Sequence, residues 1–260
     1  MNFVRTSAVI GLLLTTAISA QDFAPPPANL PAPEVLKEIS SKTDRLGKAI
    51  ESLRQQGLRD PALADLEIYH QAALAIVEHQ EFFLKDSATA TLEVLDRGLL
   101  RAKFAKTGEA PWTQAIGHSV PRGYHSRIDG SVQPYAVTLP MGYGKDPAKR
   151  WRVDVVLHGR DKTLTEVKFL KANSDRPAPA SQHYVRIDIF GRGNNAYRWA
   201  GESDVFEAIE SFLQNERFAN RDRLPDPGRI VLRGFSMGGA GTWHLGLHFP
   251  DRWCCIGPGS

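Results

Sequence analysis

At 260 residues the chain can hold one large domain, or a small one beside a medium one. Its 32 basic residues nearly balance 29 acidic ones, for a formal charge of +3, and no block of like charge stands out. Charge so dispersed argues against a nucleic-acid partner, which needs a concentrated basic face, while 42% hydrophobic residues are enough for a real core.

The first twenty residues read apart from the fold. Arg5 gives a short positive start, "AVIGLLLTTAISA" an apolar run, and Ala20 a small residue at a cleavage point. This is the pattern of a secretory signal peptide, and the run is too short for a stable membrane span. The mature protein is therefore expected near Gln21, secreted or periplasmic. Residues 21–33, "QDFAPPPANLPAP", read as a proline-rich linker.

Residues 34–108 read as a helical N-terminal region. "PEVLKEISSKTDRLGKAIESLRQQG" spaces apolar residues at helical intervals and stops at Gly57. The next helix is expected to start with Asp60 as its cap and Pro61 in its first position. A third, "SATATLEVLDRGLLRAKFAKTG", ends at Gly108. From residue 109 the texture changes. Asp129-Gly130 between two β-prone runs signals a hairpin. The strands "RWRVDVVLHG" and "HYVRIDIFG" follow, and then a helix in which Asp204 and Glu207 have the spacing of a capping box. The last elements are the strand "GRIVLRGF", the helix "GGAGTWHLGLHF" and the strand "RWCCIGPG". Strands alternating with helices predict an α/β fold with a mainly parallel sheet, helices on both faces and the hairpin as an antiparallel edge. Cys254 and Cys255 are expected as small buried residues of the final strand.

Gly234-Phe235-Ser236-Met237-Gly238 fits G-x-S-x-G between a strand and a helix, the context that motif needs. The strained turn lifts Ser236 above the sheet as a nucleophile. Gly234 and Gly238 stand where side chains have no room. The helix that follows offers its dipole and the N–H of Met237 to a developing oxyanion. A second donor is expected from the loop after an earlier strand, where "LHGR" places the N–H of Arg160, or of Gly159, with His158 bracing the loop. Tyr197 and Trp199, after the following strand, are candidates to line the substrate cleft, and a loop packed by its own aromatics is the equal alternative. "GRGNNA" fits a dinucleotide fingerprint by letter, but its helix starts too late. His244 and His248 have metal-ligand spacing without a third ligand.

From about Val132 onward the chain resembles the α/β-hydrolase superfamily. It is most similar to the secreted prolyl-oligopeptidase-like serine hydrolases and the feruloyl esterase and polyester depolymerase branch. The residues that carry this are "LHGR", "GRGNNAYRWAGESDVFEAI" and "RIVLRGFSMGGAGTWHLGLHFPDRW". The resemblance implies acyl transfer from a small-molecule ester or peptide through a serine acyl-enzyme, with no metal or organic cofactor. It also implies a triad in the order serine, acid, histidine. No histidine follows His248, and the only later acid is Asp251. The expectation is that residues 109–260 are a partial hydrolase domain, incomplete at its C-terminus, with the acid and histidine on polypeptide that follows. The alternative is an inactive, hydrolase-like binding protein.

Overall fold

The computed structural model describes residues 24–260; the expected signal peptide and the first residues of the linker lie outside them. Residues 24–32 run as an extended strap, tied down where Asn29 N–H and Nδ2 donate to the carbonyls of Phe82 and Phe83. Three helices follow: α1 (Pro33–Gln55), α2 (Ala64–Glu78) and α3 (Ser87–Lys106). Gly57 and Gly108, at φ +98° and +77°, turn the chain off α1 and α3 as expected. The start of α2 differs from expectation. Pro61 is not in its first turn, because residues 60–63 form a separate turn and Asp60 Oδ1 instead accepts the N–H of Ala64.

The hairpin of β1 (Ser119–His125) and β2 (Val132–Thr138) turns at Gly130, φ +72°. Then come β3 (Trp151–Leu157), α4 (Glu166–Asn173), β4 (Val185–Ile189), α5 (Ala200–Phe218), β5 (Pro225–Phe235), α6 (Met237–His248) and β6 (Cys255–Gly259). The six strands form one sheet in the order β1-β2-β4-β3-β5-β6, antiparallel at β1-β2 and β2-β4 and parallel elsewhere. This is the α/β arrangement with a mainly parallel sheet that the sequence predicts, with the hairpin at its edge. Helix α5 begins earlier than the capping-box reading has it. Trp199 is at its N-cap, and Asp204 is buried within it. The reason is tertiary. Arg192 Nε reaches Asp204 Oδ2 at 3.0 Å, and Glu207 accepts the backbone N–H of Arg127 instead of capping.

Period-two alternation sends the two faces of the sheet to different partners. Val153, Val155 and Leu157 join Val185, Ile187, Ile189 and Leu232 beneath α5 and Leu245 of α6 in one apolar core. The opposite face of the hairpin, through Val132 and Ala136, packs under α1 to α4 in a second core. On that same face the middle strands carry charge. Arg152 grips the buried Asp154, and Arg186 and Arg176 grip Asp188.

The helical layer is fastened to β1 by a buried polar knot. Asp65 of α2, with no exposure, accepts from Arg122 Nε at 2.8 Å, Trp112 Nε1 at 2.8 Å and Gly123 N–H at 2.9 Å. Arg101 of α3 donates to the carbonyls of Asp65 and Pro121 and stacks between the rings of Tyr69 and Trp112. The backbones of α2 and β1 nearly touch here, since a Cβ on Gly123 would lie 2.3 Å from the carbonyl oxygen of Ala64. Cys254 and Cys255 depart from expectation: both are free thiols and exposed, because among the described residues nothing covers the outer side of β6. No helix of the described residues is long and apolar enough to cross a membrane.

Candidate active site

The carboxyl ends of the parallel strands are level. Leu157 of β3 sits opposite Ile189 of β4 and Gly234 of β5, and Gly234 sits beside Pro258 of β6. Three segments meet above that edge: the turn from β5 into α6, the loop from His158, and the loop from Phe190 to Trp199.

Ser236 occupies the first of these, at φ 55° and ψ −118°, a conformation a non-glycine residue holds only under constraint from its surroundings. The constraint is visible in the glycines. A Cβ on Gly234 would lie 2.4 Å from the carbonyl oxygen of Gly238, and one on Gly238 would lie 2.1 Å from that of Leu157. On the other side, a Cβ on Gly239 would lie 1.9 Å from the carbonyl oxygen of Gly259. The first turn of α6 is thus wedged between the ends of β3 and β6, with Ser236 N–H donating to the Gly259 carbonyl at 3.0 Å. Ser236 is exposed, and its hydroxyl caps nothing. Its Oγ makes no hydrogen bond to any described residue.

The N-terminus of α6, starting at Met237, carries backbone N–H groups with no intrahelical acceptor, and its dipole places partial positive charge beside Ser236. The loop after β3 comes close to the same point. A Cβ on Gly159 would lie 3.6 Å from Cβ of Ser236. Gly159 therefore lies beside the nucleophile, and Arg160 is the next residue of that loop. His158 is turned away from proton transfer: its Nδ1 faces the Gly159 carbonyl at 2.8 Å and its Nε2 the Phe190 carbonyl at 2.9 Å, so both ring nitrogens are engaged in bracing.

Tyr197 takes the second of the two courses the sequence left open. It does not line a cleft but is fully buried, its hydroxyl accepting the backbone N–H of His158 at 2.6 Å. Burial pushes its phenol well above the usual range. The ring fills the space left by Gly241 of α6, where a Cβ would lie 2.6 Å from it. Tyr197 is thus a strut under the His158–Arg160 loop. Asn194 adds a clamp that sequence reasoning missed, with Oδ1 accepting the N–H of Asp161 at 3.1 Å and Nδ2 donating to its carbonyl at 2.8 Å. The signal lay in "GRGNNAYRW", whose Arg192, Ala196, Tyr197 and Trp199 all take positive φ, a strained loop held by asparagines and aromatics. Trp199 is 79% exposed on that loop. His244 of α6 binds Glu202 Oε2 at 2.7 Å, and His248 lies beside it, both on a helix rather than at the serine.

Such an arrangement can present a hydroxyl to a carbonyl carbon while backbone amides receive the oxygen. Among the described residues no imidazole faces Ser236 Oγ to take its proton.

No protein-family model matches the chain. Among solved structures it is similar to a thermostable esterase, with 19% identity over 55% of this chain and 41% of that one and a TM-score of 0.37. It is similar to a ferulic acid esterase, with 20% identity over 53% and 57% of the two chains and a TM-score of 0.36. A third is the fluorophosphonate-binding serine hydrolase FphF of Staphylococcus aureus, with 20% identity over 55% and 57% and a TM-score of 0.37. The chain thus spans between 41% and 57% of the length of these proteins.

Proposed function

We propose that the protein is an exported serine hydrolase that cleaves a carboxylic ester or peptide bond through an acyl-enzyme on Ser236. One observation carries the reading: Ser236 is held at φ 55° on a turn whose flanking glycines touch backbone, at the open N-terminus of α6. A strained exposed serine at a helix N-terminus is costly to hold, and acyl transfer uses each part of it. Ser236 attacks the carbonyl carbon, the N–H groups of Met237 and Arg160 receive the oxyanion, and collapse of the tetrahedral intermediate expels the alcohol or amine. The proton from Oγ passes to a general base, which returns it to the departing alcohol or amine. Ester and peptide substrates share this path; hydrolysis of aryl esters or cleavage after proline tells them apart.

The test is covalent labelling of the protein isolated from its native source with a fluorophosphonate, followed by peptide mapping and intact mass. A single adduct on Ser236, abolished in Ser236→Ala, is the expected result. No adduct, or one elsewhere, refutes the reading. The second reading is a hydrolase-like binding protein, in which the native protein stays unlabelled and Ser236→Ala leaves ligand affinity unchanged.

A further inference from the structure

A cavity of about 380 Å³, in the size range of small-molecule sites, lies between α2, α3, the short turn at Pro111–Gln114 and the start of β1. Leu100, Phe104, Ala115 and Val120 give it apolar walls. The strand register fixes its place. Ser119, which opens β1, sits opposite Thr138, and Thr138 sits opposite Arg186 near the start of β4. Ser236 follows the carboxyl end of β5, so the cavity is at the other edge of the sheet and is no part of the cleft at the serine.

Two buried polar side chains on its wall have donors to spare. Tyr69 of α2 is 1% exposed and Arg101 of α3 is 8% exposed. Arg101 gives Nη1 to the Asp65 carbonyl and Nη2 to the Pro121 carbonyl, and the Tyr69 and Trp112 rings flank its guanidinium at 4.9 Å each. All of these partners are uncharged. The Asp65 carboxylate is taken by Arg122, and among the described residues no carboxylate forms an ion pair with Arg101. Burial pulls the Arg101 pKa below its usual range, as for a cation short of a counter-charge. Among the described residues Arg101 Nε and the Tyr69 hydroxyl make no hydrogen bond, and neither is one of the fully enclosed unpartnered atoms, so both keep accessible surface. Buried donors with no acceptor are costly, more so on a charged group, and such a site persists where a ligand completes it. The other charged or titratable groups on the walls are Arg97, His118 and Asp175. Arg97 and His118 share Asp175, at 2.5 Å and 3.9 Å, so the one carboxylate present is engaged and the charge left over is positive.

We propose that this cavity binds a monocarboxylate with an apolar tail, its carboxylate accepting from Arg101 and Tyr69 and its tail lying along Leu100, Phe104 and Ala115. One unpaired guanidinium matches one negative charge, and the apolar walls match a hydrocarbon. The ligand touches α2, α3 and the start of β1 together, so it binds the helical layer to the sheet. The site does not depend on the role of Ser236.

The experiment is calorimetric titration of the full chain at neutral pH with octanoate and with 1-octanol, which has the same tail and no charge. Octanoate should bind roughly tenfold more tightly or better, the scale of a hydrogen bond to a charged group. Leu100 is 52% exposed at the rim, so Leu100→Glu sets a negative charge at the mouth without touching the core. It should weaken octanoate binding by roughly tenfold, with an unchanged circular dichroism spectrum showing that it folds. Tyr69→Phe removes one donor and should weaken octanoate by roughly threefold or more. Ser236→Ala should bind octanoate like the parent, which separates this cavity from the serine. Equal affinities for the two probes, no binding of either, or an octanoate affinity that survives Leu100→Glu or Tyr69→Phe overturns the proposal, as does its loss in Ser236→Ala.

Discussion

Replacing Asp65 by alanine tests whether the helical layer and the sheet are one cooperative body. Asp65 is fully buried and accepts three hydrogen bonds, from Arg122, Trp112 and Gly123, which lie 57, 47 and 58 residues away in sequence. Removing it leaves the Arg122 guanidinium buried without a counter-charge, a loss of about 3–5 kcal/mol. The orphaned indole and amide N–H groups add to that, at about 1–3 kcal/mol each before relaxation. The expected cost is then about 5 kcal/mol, a large share of the stability of an ordinary domain. Arg122→Ala removes the other charge, and the double variant removes both. Because each single change strands its partner, the double variant should be less damaged than the summed singles by about 2–3 kcal/mol. Urea denaturation followed by tryptophan fluorescence, with Trp112 at the knot itself, reads all three, and far-ultraviolet circular dichroism should give the same midpoint. A cost below about 1 kcal/mol for Asp65→Ala, additive singles, or a separate transition for the helices would refute the reasoning.

Two further outcomes are expected. Gly238→Ala would set a methyl group 2.1 Å from the Leu157 carbonyl oxygen, so it should lower the melting temperature and abolish labelling of Ser236, whereas Gly228→Ala, whose Cβ meets only a side-chain oxygen at 3.4 Å, should leave both unchanged. Glu166 should make stability fall with rising pH. Burial holds its carboxyl at about 7 in the folded chain against an ordinary 4.5, so the unfolded state releases its proton first, and about 3 kcal/mol is lost between pH 4.5 and 7. Glu166→Gln should remove that slope, and parallel urea curves for parent and variant at pH 5 and pH 8 would disprove it.

What could be read from the sequence was whatever is written locally. Asp129-Gly130 marks a hairpin because the turn geometry wants a glycine at φ +72°, and G-x-S-x-G marks the elbow because its two glycines touch backbone. The errors arose where distant residues decide. Asp204 and Glu207 have capping-box spacing, yet one is held by Arg192 and the other by Arg127, neither of them in the helix. The sequence leaves Tyr197 between a cleft and the packing of its own loop, and the missing side chain at Gly241, 44 positions later, makes the hole that buries it. The Asp65–Arg122 knot has no periodic signature at all, because each partner is an ordinary charged residue in its own element.

These points converge on a division of labour within the fold. The serine turn is set by backbone contacts among β3, β6 and α6, so side-chain changes in the helical layer do not reach it. A chamber of about 590 Å³ along the loop after β3 is a different matter, since Arg160 forms part of one wall and His79, Glu81 and Phe83, carried on the turn that closes α2, form another. The position of α2 is fixed by Gly123, where its backbone lies against β1, and by the three donors on Asp65. A residue far from Ser236 in sequence therefore sets where one wall of the chamber stands, through contacts that also hold the domain together. Chemistry on the sheet and selectivity from the appended helices can then change independently, so long as the knot at Asp65 is kept.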